Sequence, residues 1–288
     1  MKTKKLYSLL GNSQKLDGGA MFGNAPKAMW QQWVEVDELN RINLNCRALL
    51  VQEGNRNILF ETGVGAFFEP KLKQRFGIVE SEHVLLKSLA QLGLDHSDID
   101  VVVLSHLHFD HAGGLLSQWQ EGKEPQLLFN NATYIVNKNH WQRAIEPHPR
   151  DRASFIPHLN TLLLESGRLK LIESDTCELL GDDYRFTISS GHTPDMMLSE
   201  IACESGRVVF AADLIPGTAW VHVPITMGYD RYPEQVIDEK KALLNRLAEN
   251  GDFLFFTHDE SCALGRVAID EKGRYKVIET AESIVGWS

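Results

Sequence analysis

Cysteine is scarce in this 288-residue chain: there are four, Cys46, Cys177, Cys203 and Cys262. They lie far apart and form no CxxC pair, which excludes a zinc ribbon and a disulfide framework. They read as buried or partly buried thiols of a reducing compartment. No apolar run approaches the ~18 residues that a membrane span needs. Positive charge is in deficit, with 29 Lys and Arg against 39 Asp and Glu and a formal net charge of −10. Such a surface repels phosphate backbones and anionic lipid, so neither nucleic acid nor a membrane is expected as a partner. There is no run of five like charges, no internal repeat and no Pro/Gly/Ser linker. The chain therefore reads as one domain over residues 1–288. Its start, Met1-Lys2-Thr3-Lys4-Lys5, imitates the basic head of a signal peptide. The apolar stretch Leu6 to Leu10 falls short of the about 7–15 residues of a signal core, so a cytoplasmic location is expected.

What is present is ordinary globular composition, 43% hydrophobic and 24% charged, in a chain long enough to bury a sizeable core. Arg47 to Val51 and Asn57 to Phe60 flank Glu53-Gly54-Asn55-Arg56 and predict a hairpin. Val101-Val102-Val103-Leu104 is continuously apolar, as expected of a strand buried on both faces. Thr133–Val136, Arg168–Ile172, Arg185–Ile188, Leu198–Ala202, Val208–Ala211 and Phe253–Phe256 predict further strands. A helix capped by Ser81 carries Val84, Leu85, Leu89 and Leu92 and stops at Gly93. A second helix follows Pro233 and closes near Gly251. Lys138–Ile145 and Phe155–Glu165 have helical patterns too. Strands and helices mixed over the whole length imply an α/β or α+β domain of sheets covered by helices.

The chemistry is concentrated in Ser105-His106-Leu107-His108-Phe109-Asp110-His111-Ala112-Gly113-Gly114, which follows directly on the buried strand. His106 and His108 are two apart, so extended chain points both to one side. Asp110 and His111 sit on the turn beyond. Such a loop can present nitrogens to one metal and an oxygen and a nitrogen to its neighbour. Gly113 and Gly114 permit tight packing as the chain leaves it. Three more ligand types each end an apolar strand: His192, Asp213 and His258. Strand ends along one rim can converge on a site. Five His and two Asp suffice for two metals with open coordination positions.

HxHxDH, then a lone His, an Asp and a His, each after a strand, resembles the ligand series of the metallo-β-lactamase-fold hydrolases. The resemblance covers nearly the whole chain. It implies a four-layer αβ/βα sandwich with the site between two sheets. It implies that His106, His108 and His192 hold one metal, that Asp110, His111 and His258 hold the other, and that Asp213 bridges them. Asp17-Gly18-Gly19-Ala20-Met21-Phe22-Gly23, Ala212-Asp213-Leu214-Ile215-Pro216, Met227-Gly228-Tyr229-Asp230 and Phe255-Phe256-Thr257-His258-Asp259 look like the lactonase and phosphotriesterase branch. That branch includes quorum-quenching lactonases of the YtnP type and methyl parathion hydrolases. The likeness makes residues 1–40 an N-terminal extension to the pocket or to a homodimer contact, with Met21 and Phe22 as candidate substrate contacts.

Three departures are visible. His192-Thr193-Pro194-Asp195-Met196 replaces His-Thr-Pro-Gly-His, losing a small turn residue and an outer imidazole, which implies that the first metal is held differently. Glu61-Thr62-Gly63 replaces Asp-Thr-Gly. Pro216 stands where some acyl-homoserine lactonases carry a tyrosine, which leaves Tyr229 as the candidate replacement. The resemblance implies two divalent cations, zinc first, with iron and manganese also suited to such ligands. A bridging hydroxide would attack a small-molecule lactone, such as an N-acyl-homoserine lactone, or a related ester. Asp213 would set the metal spacing, and Asp110 would pass a proton to the leaving group. Loops 11–23, 63–68 and 219–229, with Trp30, Trp33, Phe67, Phe68 and Trp220, are expected around the pocket. A phosphotriester or aryl ester hydrolase is the alternative within the fold. A mononuclear iron dioxygenase is the redox alternative, and a non-catalytic metal-binding protein the last.

Overall fold

The computed structural model describes residues 3–288. Two sheets form its centre. The first runs, edge to edge, Val285–Trp287, Lys4–Leu9, Ala48–Glu53, Arg56–Phe60, Val101–Val103, Thr133–Asn137 and Leu169–Ile172. The second runs Tyr275–Ala281, Leu264–Ile269, Phe253–Phe255, Gly206–Phe210, Met196–Cys203 and Tyr184–Ser189. A small hairpin pairs Gln14–Asp17 with Arg41–Leu44. The stretch Leu6 to Leu10 lies largely in a strand that pairs Leu6 with Val51 on one side and Trp287 on the other.

The two-residue period of a strand decides which layer each side chain joins. In the first sheet Leu49, Val51, Ile58, Phe60, Val101, Val103 and Ile135 enter the core shared with the second sheet. Their neighbours Leu50, Leu59, Val102, Tyr134 and Val136 pack under three helices, Val84–Gln91, Lys138–Ile145 and Pro157–Glu165. The helix Pro233–Asn250 covers the outer face of the second sheet. Its Val236, Leu243, Leu244 and Leu247 are buried, and its Arg246 donates to Glu200 at 2.6 and 2.9 Å. The result is the four-layer αβ/βα arrangement. All four cysteines are free and buried. Among the described residues, no helix is long and apolar enough to cross a membrane.

Helix ends follow local chemistry with one exception. Pro233 opens the long helix, and Gly251 closes it at φ 69° with its N–H donating to Leu247 O, as a left-handed C-cap should. Gly93 stops the earlier helix at φ 74°. Ser81 does not cap that helix, because its hydroxyl accepts from Lys73 Nζ instead. The cap comes from Asn12, whose Oδ1 accepts from Val84 N at 3.0 Å. That residue is 72 positions away in sequence, beyond the reach of a local signal.

Gly113 and Gly114 let the histidine loop press its backbone on the segment after Arg56–Phe60. A Cβ on Gly114 would lie 2.0 Å from Thr62 O, and one on Gly113 2.3 Å from Val64 O. Both obstacles are backbone atoms and cannot swing aside. Replacing Gly114→Ala is expected to cost about 2 kcal/mol through forced backbone shifts. Urea unfolding of the metal-free protein reads this directly, and an unchanged midpoint would refute the packing argument.

Candidate active site

Strand direction brings the site residues to one rim. Gly206–Phe210 runs parallel to Phe253–Phe255, and Arg56–Phe60 runs parallel to Val101–Val103. Tyr184–Ser189 is related to Gly206–Phe210 by two antiparallel steps, so it points the same way. The carboxyl ends of these strands therefore emit Asp213, His258, Glu61, the 105–111 loop and His192 along a common edge. Met197 N donates to Ser105 O at 2.9 Å and ties the two sheets together there.

Two clusters result, each with ligand-type atoms within 4.8 Å of one another: His106, His108, His192 and Asp213, and Asp110, His111, His258 and Asp213. Asp213 belongs to both through different oxygens. Its Oδ2 lies 3.2 Å from His192 Nε2 and 3.9 Å from His106 Nε2. Its Oδ1 lies 3.2 Å from both His111 Nε2 and His258 Nε2. Asp110 Oδ2 stands 3.7 Å from His258 Nε2 and 3.9 Å from His111 Nε2. All seven sequence-predicted ligand residues are thus brought together.

Four of the five imidazoles, all but His108, are oriented from behind. His106 Nδ1 meets Ser105 Oγ at 2.8 Å. His111 Nδ1 lies 3.0 Å from Glu61 Oε2, and Glu61 Oε1 accepts from Ser105 N at 2.6 Å. His192 Nδ1 meets Asp230 Oδ1 at 2.9 Å, and Asp230 Oδ2 accepts from Met227 N. His258 Nδ1 donates to Asn45 O at 2.7 Å. His140 fastens two ligand loops together: its Nε2 accepts from Leu107 N at 2.8 Å and its Nδ1 donates to Pro194 O at 2.9 Å. Burial pushes His140 down to about 4, so it works as a neutral clasp. Glu61, His140 and Asp230 carry no spacing motif. Glu61 stood out only as a departure, and Asp230 only as part of Met227-Gly228-Tyr229-Asp230.

The turn after His192 keeps its shape despite the altered motif. Asp195 takes φ 57°, a conformation that glycine adopts freely and Asp tolerates. Glu61 at φ 65° and Ala212 at φ 44°, beside Asp213, are also in left-handed conformations. Glu239 of the long helix holds the loop before His192, accepting from Ser189 Oγ at 2.7 Å and Ser190 N at 2.9 Å.

The donor set fits divalent cations. His192 Nε2 faces His108 Nδ1 at 3.3 Å, and His258 Nε2 faces His111 Nε2 at 3.2 Å. Nitrogens converging in this way need a cation or a proton between them. The buried His106 Nε2 has no hydrogen-bond partner among the described residues. Without metal, burial and neighbouring imidazoles hold His106 and His108 well below the usual range. Burial also opposes protonation of His111 and His258, yet the Asp213 carboxylate outweighs it and holds both well above that range. Burial disfavours the Asp213 carboxylate, but His111, His258 and His192 keep it ionised far into acid.

A cleft of about 440 Å³ opens onto the clusters, and Met21, Phe76, Phe109, Met227 and Tyr229 help line it. Met21 and Tyr229 thus sit where the sequence suggested. Phe22 does not reach the cleft. Its ring is fully buried, stacked 5.2 Å from Trp30 and 4.6 Å from Trp220. Trp30 and Trp220 are consumed in that stack, and Phe68 lies behind the wall, 5.0 Å from Phe76 and 5.4 Å from Phe109. The apolar wall is therefore built by Phe76 and Phe109 rather than by the aromatics expected from sequence.

A two-sheet sandwich with a His/Asp rim site is the architecture of metal-dependent hydrolases. Residues 41–258 match the model of the metallo-beta-lactamase superfamily, and the chain belongs to that superfamily. It is 27% identical over 274 residues to the N-acyl homoserine lactonase AiiA of Bacillus thuringiensis subsp. kurstaki, covering 90% of this chain and 94% of that one. Its fold matches the crystal structure of a probable metal-dependent hydrolase from Staphylococcus aureus with a TM-score of 0.85 and 29% identity, over 98% of this chain and 99% of that one. The dizinc quorum-quenching lactonase AidC shares the fold with a TM-score of 0.75 and 22% identity, over 96% and 95% of the two chains.

Two outcomes follow for metal loading. Because the Asp213 carboxylate holds His111 and His258 well above the usual imidazole range in the metal-free protein, titration with zinc in weak buffer at pH 7 is expected to release protons. Apparent affinity should fall as pH falls. Loading without proton release would show those imidazoles already neutral. Separately, Asp230→Asn is expected to weaken zinc binding by roughly 10–100-fold, because His192 loses its carboxylate partner. Competition with a chelating dye measures it.

Proposed function

We propose that this chain is a dinuclear metal-dependent hydrolase of lactones, with N-acyl-homoserine lactones as the first class to test. One observation carries the reading: two His/Asp clusters share Asp213 through separate oxygens at the floor of an apolar-walled cleft. The likeness to the curated lactonase supports the choice of lactone over other esters.

In this reading His106, His108 and His192 hold one cation, Asp110, His111 and His258 hold the second, and Asp213 lies between. The ligands are imidazole and carboxylate with no thiolate, which suits zinc, iron or manganese, and zinc is proposed. Two such cations, when bound, would supply a water acidic enough to act as nucleophile near neutral pH and would polarise a substrate carbonyl. The chain's residues do the rest. Asp110 lines the cleft, and in this reading it carries a proton to the departing alkoxide. Burial and the nearby Asp110 push the Tyr229 phenol up, so it stays protonated and can donate a hydrogen bond to a substrate oxygen. Met21, Phe76 and Phe109 exclude water from the acyl portion.

The test joins composition to turnover. Protein purified without chelator or His tag is expected to contain close to two metals per chain and to open N-hexanoyl-homoserine lactone. His108→Ala and Asp213→Asn should each lower turnover by at least about 10³-fold and reduce metal content. One iron per chain would point to a mononuclear dioxygenase instead. Metal and turnover intact in either variant would refute the assignment.

A further inference from the structure

Two arginines stand in the cleft without an anionic partner. Arg75, at the end of the helix Pro70–Arg75, and Arg150, on the segment before Asp151, both line it. Both are exposed. Among the described residues, eight other arginines are ion-paired with carboxylates: Arg41, Arg56, Arg143, Arg185, Arg207, Arg246, Arg266 and Arg274. Arg75 has no hydrogen bond or ion pair for its guanidinium among the described residues, only the face of Phe76 at 5.8 Å. Arg150 donates through Nη2 to Gly228 O at 2.7 Å and Asp230 O at 3.4 Å, leaving the rest of its fork free.

The carboxylates of the same cleft are all engaged elsewhere. Asp213 and Asp110 face the histidines. Asp151 is paired with Arg143 at 2.8 Å. The cleft therefore carries one uncommitted guanidinium, that of Arg75, and a second, that of Arg150, bonded only to main-chain carbonyls, on a protein whose net charge is −10. An acidic protein repels an anionic substrate at long range, so a cationic lip is what would draw one in. A guanidinium fork binds a carboxylate or phosphate with direction as well as charge.

We propose that the substrate is anionic: a lactone or ester whose part remote from the scissile bond carries a carboxylate or similar oxyanion, gripped by Arg75, with Arg150 as a second cation lining the same cleft. This rests on the hydrolase reading above and narrows its substrate class. Arg75 becomes a specificity residue, and Phe76 and Phe109 wall the stem between the anionic end and the reacting end.

The test compares N-adipoyl- with N-hexanoyl-homoserine lactone, which differ chiefly in the terminal carboxylate. The adipoyl compound is expected to have a kcat/KM about tenfold higher at low salt, the gain of one charge-assisted contact. The gain should lie mainly in KM and shrink at 0.5 M NaCl, where exposed charges are screened. Arg75→Gln should abolish the preference, and Arg75→Lys should restore part of it. Equal rates on both lactones, or a preference unchanged in Arg75→Gln, would overturn the inference and leave the lactonase reading standing. If neither lactone is opened, the lactonase reading fails instead. The arginine inference is then decided by calorimetry: adipate binding at least fivefold weaker to Arg75→Gln than to wild type upholds it, and equal binding overturns it.

Discussion

One buried carboxylate organises this molecule. Asp213 places one oxygen among the imidazoles of His106 and His192 and the other between His111 and His258. An anion in that position is costly unless cations surround it, and imidazoles crowded so closely are costly unless an anion or a metal stands among them. Neither half is tolerable alone. The strand order of two sheets exists, in effect, to deliver them to one rim, and the left-handed backbone at Ala212 is part of what aims the carboxylate.

The groups behind the imidazoles differ in kind, and the difference divides their work. A hydroxyl backs His106, carboxylates back His111 and His192, and a main-chain carbonyl backs His258. A carboxylate raises the basicity of the ring it holds more than a neutral acceptor does. Each cluster therefore has one strengthened imidazole, His192 in the first and His111 in the second. The supports themselves are anchored on rigid elements. Glu61 closes a central strand, Asp230 precedes the long helix, and His140 lies on the helix Lys138–Ile145. Ligand positions set this way resist drift far better than positions set by loops alone.

The central strands were legible because continuous apolar runs such as Val101–Val103 and Phe253–Phe255 have no solvent face to disguise. The helix Lys138–Ile145 was legible to the residue because its apolar spacing is local; its Asn137 cap became visible only in the structure. The ligand-type residues were legible because four of them crowd into one loop and the others end strands. Long-range partners left no local trace. Asn12 caps a helix 72 residues on, and His140 joins two loops from a third element. The pocket wall misled for a related reason. Aromatics were visible in sequence, but whether a ring faces a cleft or a neighbouring ring depends on contacts such as Phe22 with Trp220, which bring together residues 198 positions apart.

The stack of Trp30, Phe22 and Trp220 has a consequence beyond packing. Trp220 Nε1 donates to Met21 O at 2.9 Å, and Met21 lines the cleft. The hydrogen bond couples an indole to the backbone of a cleft residue. A ligand that shifts Met21 shifts the polarity felt by Trp220 and its overlap with Phe22. The protein thereby carries an intrinsic fluorophore wired to its cleft, and occupancy of that cleft becomes an optical signal that needs no label.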